Sequence, residues 1–140
     1  MNPKYFTVDE ANRLVGFLEV TLERIRRNKQ KYLWLKEEIS ILNLIVECGM
    51  TESNPDSILL REKKETFKKV GMSIEKDIAA INETGCVLRD VDKGLVDFYS
   101  KQEGIVIFLC WKKGEESVMY WHPTNTGFKG RQPLYRRSST

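Results

Sequence analysis

The chain has 140 residues, 41% hydrophobic and 31% charged, with 23 basic against 20 acidic side chains. That length suits one domain, residues 1–140, with a moderate core, and fourteen aromatics argue against intrinsic disorder. No apolar run approaches the roughly 18 residues of a membrane span, the stretch Met1–Thr7 has no apolar signal core, and a net charge of +3 demands no nucleic-acid partner. A cytoplasmic protein with no membrane association is expected.

The first half reads as helical. Thr7-Val8-Asp9-Glu10 has the form of a capping box, with acids placed to complement the helix dipole. Leu18, Ile25, Tyr32, Ile39 and Val46 then recur every seven residues, with Leu35 and Leu42 between them. Thr21 and Asn28 interrupt this coiled-coil-like seam. One helix of about forty residues, roughly 60 Å long at 1.5 Å per residue, is expected to stop at Cys48-Gly49. After a loop at Thr51–Pro55, Asp56 or Ser57 can cap a second helix. Its stripe is Leu60, Phe67, Val70, Ile74, Ile78 and Ile81, ending at Gly85. The short connection makes the pair an antiparallel hairpin over residues 8–85. The longer helix leaves apolar surface for a second copy to cover, so a homodimer is expected.

From residue 86 the period changes to two. Cys86–Arg89, Leu95–Tyr99, Ile105–Trp111 and Ser117–His122 read as strands, rich in β-branched and aromatic residues. The fold class is therefore α+β, a helical hairpin followed by a small antiparallel meander packed on it. A three-residue turn Gln102-Glu103-Gly104 pairs Lys101 with Ile105, and a two-residue loop Gly114-Glu115 pairs Trp111 with Val118. These registers put Val96, Phe98, Phe108, Cys110 and Trp121 on the core face. The other face then carries Asp97, Tyr99, Ile107, Leu109, Trp111, Tyr120 and His122. Residues 123–134 follow neither period, but Phe128 and Leu134 are apolar anchors for a segment folded onto the protein. If it returns across the mixed face, Arg131 meets Asp97 or Tyr120. Residues 135–140, with Arg136 and Arg137 and no apolar anchor beyond Tyr135, read as a flexible basic tail.

Tyr5-Phe6-Thr7, Gly94-Leu95-Val96-Asp97-Phe98, Leu109-Cys110-Trp111, Tyr120-Trp121-His122 and Gly127-Phe128-x-Gly130-Arg131-Gln132-Pro133-Leu134 occur together in this order. The set resembles the bacterial family called domain of unknown function 2203, over nearly the whole chain. The resemblance implies a small cytosolic protein with a long helical part and a compact motif-bearing C-terminal part. It implies no particular activity.

Three cysteines, 38 and 24 residues apart, have no metal-ligand spacing, and there is a single histidine. Neither a metal nor a cofactor is expected from such a pattern. His122 with Asp97 makes an orienting pair for acid–base or metal chemistry, but the expected registers place Cys110 on the opposite face and so disfavour a triad. Asp90-Val91-Asp92-Lys93-Gly94 lacks the distal ligands of a calcium loop and reads as a turn. The glycines and cations of Gly127–Arg131 suit a phosphate or carboxylate, against a structural turn in which Arg131 pairs with Asp97. Two functions follow as expectations. The first is a non-enzymatic interaction or scaffold module that self-associates through its helices and receives a protein partner. The second is a small-anion or metal-dependent binding protein or enzyme using Asp97, Tyr99, Trp111, Tyr120, His122 and Arg131.

Overall fold

A computed structural model describes residues 3–48 and 55–134. Of the expected loop Thr51–Pro55, residues 51–54 lie outside the described residues, as do the helix stop at Gly49 and the basic tail over 135–140, whereas Pro55 is already the first residue of the second long helix. The chain forms two compact units, one of residues 24–78 and the other of residues 1–23 with 79–140. Two long helices, α2 (Val15–Glu47) and α3 (Pro55–Glu83), contribute to both. No helix among the described residues is long and apolar enough to cross a membrane.

Within residues 24–78 the two helices run antiparallel, as successive cross-contacts show. Asp77 accepts a two-pronged bond from Arg24 at 2.8 and 2.9 Å, Ser73 meets Asn28, Phe67 stacks on Tyr32 at 4.3 Å, and Lys63 lies beside Glu38. The polar seam defect at Asn28 is thus matched by a serine on the facing helix. Leu35 and Leu42 are buried as the heptad spacing requires. A second apolar row on α2, with Leu33, Trp34, Ile41, Leu44 and Ile45, is exposed.

The N-terminal helix is divided where one continuous rod was expected. The capping box forms, Glu10 N–H donating to Thr7 Oγ1 and Thr7 N–H to Glu10 Oε1, but α1 (Val8–Asn12) ends after five residues. The break lets the Asn12 side-chain oxygen accept from Val118 N–H at 2.6 Å, tying α1 to a segment 106 residues away.

Five strands make one antiparallel sheet in sequence order: β1 (Val87–Asp90), β2 (Leu95–Gln102), β3 (Ile105–Lys112), β4 (Tyr120–Pro123) and β5 (Gln132–Pro133). A 3₁₀ turn, Phe128–Gly130, precedes β5. Both hairpin registers differ from expectation by one residue. Lys101 pairs with Val106 and Asp97 with Cys110, because Glu103 and Gly104 both take positive φ, 52° and 81°, in a two-residue turn. That mirror-image turn matches the twist of the flanking strands better than a bulged three-residue loop. In the next hairpin Phe108 pairs with His122 and Leu109 with Trp121. The expected two-residue loop is replaced by a longer connection, since Asn12 takes the Val118 N–H and β4 starts only at Tyr120.

The two one-residue slips cancel between β2 and β4 and reverse β3 between them. Val96, Phe98, Ile107, Leu109 and Trp111 share one buried face. Asp97, Tyr99, Phe108, Cys110, Tyr120 and His122 share the other. In its unit the first face belongs to a core with Leu18, Leu22 and Ile81.

Candidate metal centre and its cleft

Asp97, Cys110 and His122 sit on three adjacent strands and point from the same sheet face. One ligand-type atom from each lies within 4.8 Å of the others, and all three residues are buried. Asp97 is 3% and His122 1% exposed. Asp97 Oδ2 lies 3.0 Å from His122 Nε2 and accepts a bond of 2.9 Å from Arg89 Nε–H. His122 Nδ1 lies 2.9 Å from the Pro123 carbonyl oxygen.

These distances constrain the imidazole. A carbonyl only accepts, so the Pro123 contact requires the proton on Nδ1, and the Asp97 contact then faces Nε2. Neutral imidazole has one proton for these two acceptors. The ring therefore either carries both protons as a cation or turns a bare Nε2 lone pair towards a carboxylate and a thiol. The second arrangement is how a metal-binding histidine is held, with its outer nitrogen anchored on a carbonyl. Burial, aided by the Asp97 carboxylate, pushes the Cys110 thiol up to about 12. At neutral pH the free sulfur is therefore a thiol and a poor nucleophile, which argues against cysteine catalysis.

Arg89 reaches this group through an irregularity in β1. Leu88 pairs with Val96 and Asp90 with Leu95, which leaves Arg89 as the extra residue of a bulge. Bulges re-aim side chains, and this one lays the guanidinium 4.8 Å over the Phe108 ring with Nε on Asp97. Above the sheet is a cleft of about 370 Å³, bounded by Arg89, Asp97, Cys110 and the segment Thr124–Phe128.

The structure gathers the expected site residues only in part. Asp97, Tyr99, Tyr120 and His122 share a face, as expected. Trp111 does not: it is in the core, and its Nε1–H donates to the Glu115 carbonyl at 3.0 Å. Cys110 belongs to the Asp97/His122 face rather than the opposite one, because β3 is reversed. Tyr99 packs on Phe108 and Tyr5 rather than lining the cleft. Arg131 pairs with Glu115 rather than with Asp97. Its Nη1 and Nη2 donate to both Glu115 carboxylate oxygens at 2.9 and 2.6 Å, and Nη2 donates to the Cys110 carbonyl at 3.1 Å. The guanidinium lies 4.0 Å from the Tyr120 ring and 4.6 Å from that of Phe128, so it clamps the returning segment to the sheet. Asp90 Oδ1 accepts from Lys93 N–H, a plain turn as expected.

Fold and site together define an α+β protein whose sheet presents a buried Asp/Cys/His cluster to a small cleft. The chain belongs to the family described as "Uncharacterized conserved protein (DUF2203)", matched over residues 4–134. No curated protein and no solved structure matches the chain.

Proposed function

We propose that this is a metal-binding protein, with Asp97, Cys110 and His122 as three ligands of a zinc-class ion and a fourth position open to the cleft. The observation that carries this reading is the mutual approach of a carboxylate, a thiol and a carbonyl-anchored imidazole within 4.8 Å. Thiolate with imidazole suits zinc and neighbouring soft ions, and three protein ligands with one open position is the arrangement of catalytic and ligand-binding zinc sites. Tetrahedral coordination at about 2.0–2.3 Å from each atom needs the cluster to close by roughly 1 Å, a matter of side-chain rotation. The Arg89 contact leaves lone pairs of the carboxylate available and orients it as an outer partner.

Titration with Co²⁺ is expected to give one equivalent of binding with a thiolate-to-cobalt charge-transfer band. Cys110→Ser should abolish the band, and His122→Ala should weaken binding by at least about 100-fold. Affinity should rise with pH, because binding removes the Cys110 proton. Absence of the band, or binding indifferent to both substitutions in folded variants, refutes the reading.

A second reading, self-association, is favoured by the exposed row Leu33, Trp34, Ile41, Leu44 and Ile45 on α2. Five large apolar side chains on one helix face make a contiguous patch of the kind that marks interfaces. Light scattering at micromolar concentration is expected to give a dimer, and Ile41→Lys with Leu44→Glu a monomer. A wild-type monomer excludes it.

A further inference from the structure

The cleft over the cluster has its own chemistry, and this inference rests on the metal reading above. Arg89 is anchored at one end only: Nε is on Asp97 and the ring of Phe108 lies beneath, while its Nη atoms have no partner among the described residues. Its side chain is 46% exposed and lines the cleft. A guanidinium held by its inner nitrogen presents its two outer nitrogens as a preformed fork for a two-oxygen anion. On the opposite rim, the side chains of Thr124 and Asn125 also have no partner among the described residues. Leu95 and Phe128 supply apolar wall. The volume of about 370 Å³ is at the small end of ligand pockets.

We propose that this cleft binds a small carboxylate, one oxygen of which takes the open metal position while the Arg89 fork holds the carboxylate from the side. Charge supports the choice of a monoanion. A bound dication is offset by the Asp97 carboxylate and the Cys110 thiolate, which leaves Arg89 as the uncompensated charge facing the cleft. The apolar wall at Leu95 and Phe128 suits the short carbon body of a carboxylate better than the shell of oxygens on inorganic phosphate. Binding forms one metal–oxygen coordinate bond as solvent leaves the open position and breaks no covalent bond of the carboxylate, so it assigns a ligand class rather than a reaction.

The test uses the full chain loaded with Co²⁺ and titrated with propionate, reading the visible d–d bands, with inorganic phosphate as the contrasting arm. Propionate is expected to shift the bands saturably and to outcompete phosphate. Arg89→Gln should keep the charge-transfer band yet bind propionate about tenfold or more weakly. If the cobalt band itself fails to form, the metal reading falls and this inference with it. If the band forms but propionate leaves the d–d spectrum unchanged, or phosphate binds tighter, or Arg89→Gln responds like wild type, the carboxylate inference alone is overturned.

Discussion

Asp97→Ala is expected to destabilise the protein by about 1–3 kcal/mol, the cost of leaving buried polar groups without their partner. The carboxylate is 3% exposed and holds His122 Nε2 at 3.0 Å and Arg89 Nε at 2.9 Å. Arg89, being part-exposed, can turn to water when its acceptor is lost. His122, at 1% exposure, cannot, and its Nε2 is left facing a cavity. Asp97→Asn keeps the shape and one carbonyl acceptor, so its loss should be about half as large. Urea unfolding measures both. A loss below about 1 kcal/mol for Asp97→Ala would mean that water or a rearranged neighbour already satisfies the imidazole. Zinc separates structural from ligand roles in the same experiment: a saturating ion at about 100 times its dissociation constant should add about 2.7 kcal/mol to wild type and far less to Asp97→Asn.

The pairing of Asp97 with His122 was legible in the sequence, although both registers used to reach it were off by one. β2 and β4 each mix polar and apolar residues, so their faces are set by composition. β3 does not: Ile105-Val106-Ile107-Phe108-Leu109-Cys110-Trp111 is apolar or thiol at every position, and such a strand fits either way up. Its orientation rests on turn geometry alone. Glu103 in the left-handed region at φ 52° is a choice few residues other than glycine make, and nothing in the local sequence signals it. The second hairpin depends on a side chain from α1 capturing Val118 N–H, which no local pattern can show. Hence the sequence pattern alone puts Cys110 on the opposite face and does not reveal the cluster. Arg89 is hidden for a related reason, since a bulge leaves no mark on a four-residue strand. The helical half is more legible. Heptad spacing found the buried seam and glycine found the end of α3 at Gly85, φ 92°, while the break after Asn12 again belongs to the Val118 contact.

Arg131→Met should cost about 2–4 kcal/mol, although methionine retains much of the packing between Tyr120 and Phe128. The loss comes from what the guanidinium leaves behind. Glu115, with a side chain 19% exposed, loses both its bonds of 2.9 and 2.6 Å, and the Cys110 carbonyl loses its side-chain donor. Among the described residues Glu115 then keeps only the Lys112 N–H at 2.7 Å, so a partly buried carboxylate is left with one donor. Arg131→Lys should recover little, because an ammonium cannot span both carboxylate oxygens or lie flat between two rings. Pairing Arg131→Met with Glu115→Gln removes the stranded charge, and the double variant should lose less than the sum of the singles by about 1–3 kcal/mol in a double-mutant cycle. Strict additivity would show that the clamp is held by ring packing rather than by the ion pair. The clamp also bears on the cluster, because the segment it holds to Tyr120 forms the far wall of the cleft and its Nη2 bond fixes the backbone of Cys110. Arg131→Met should therefore weaken Co²⁺ binding without touching a ligand, whereas Glu115→Gln, which leaves the guanidinium on the Cys110 carbonyl, should weaken it less.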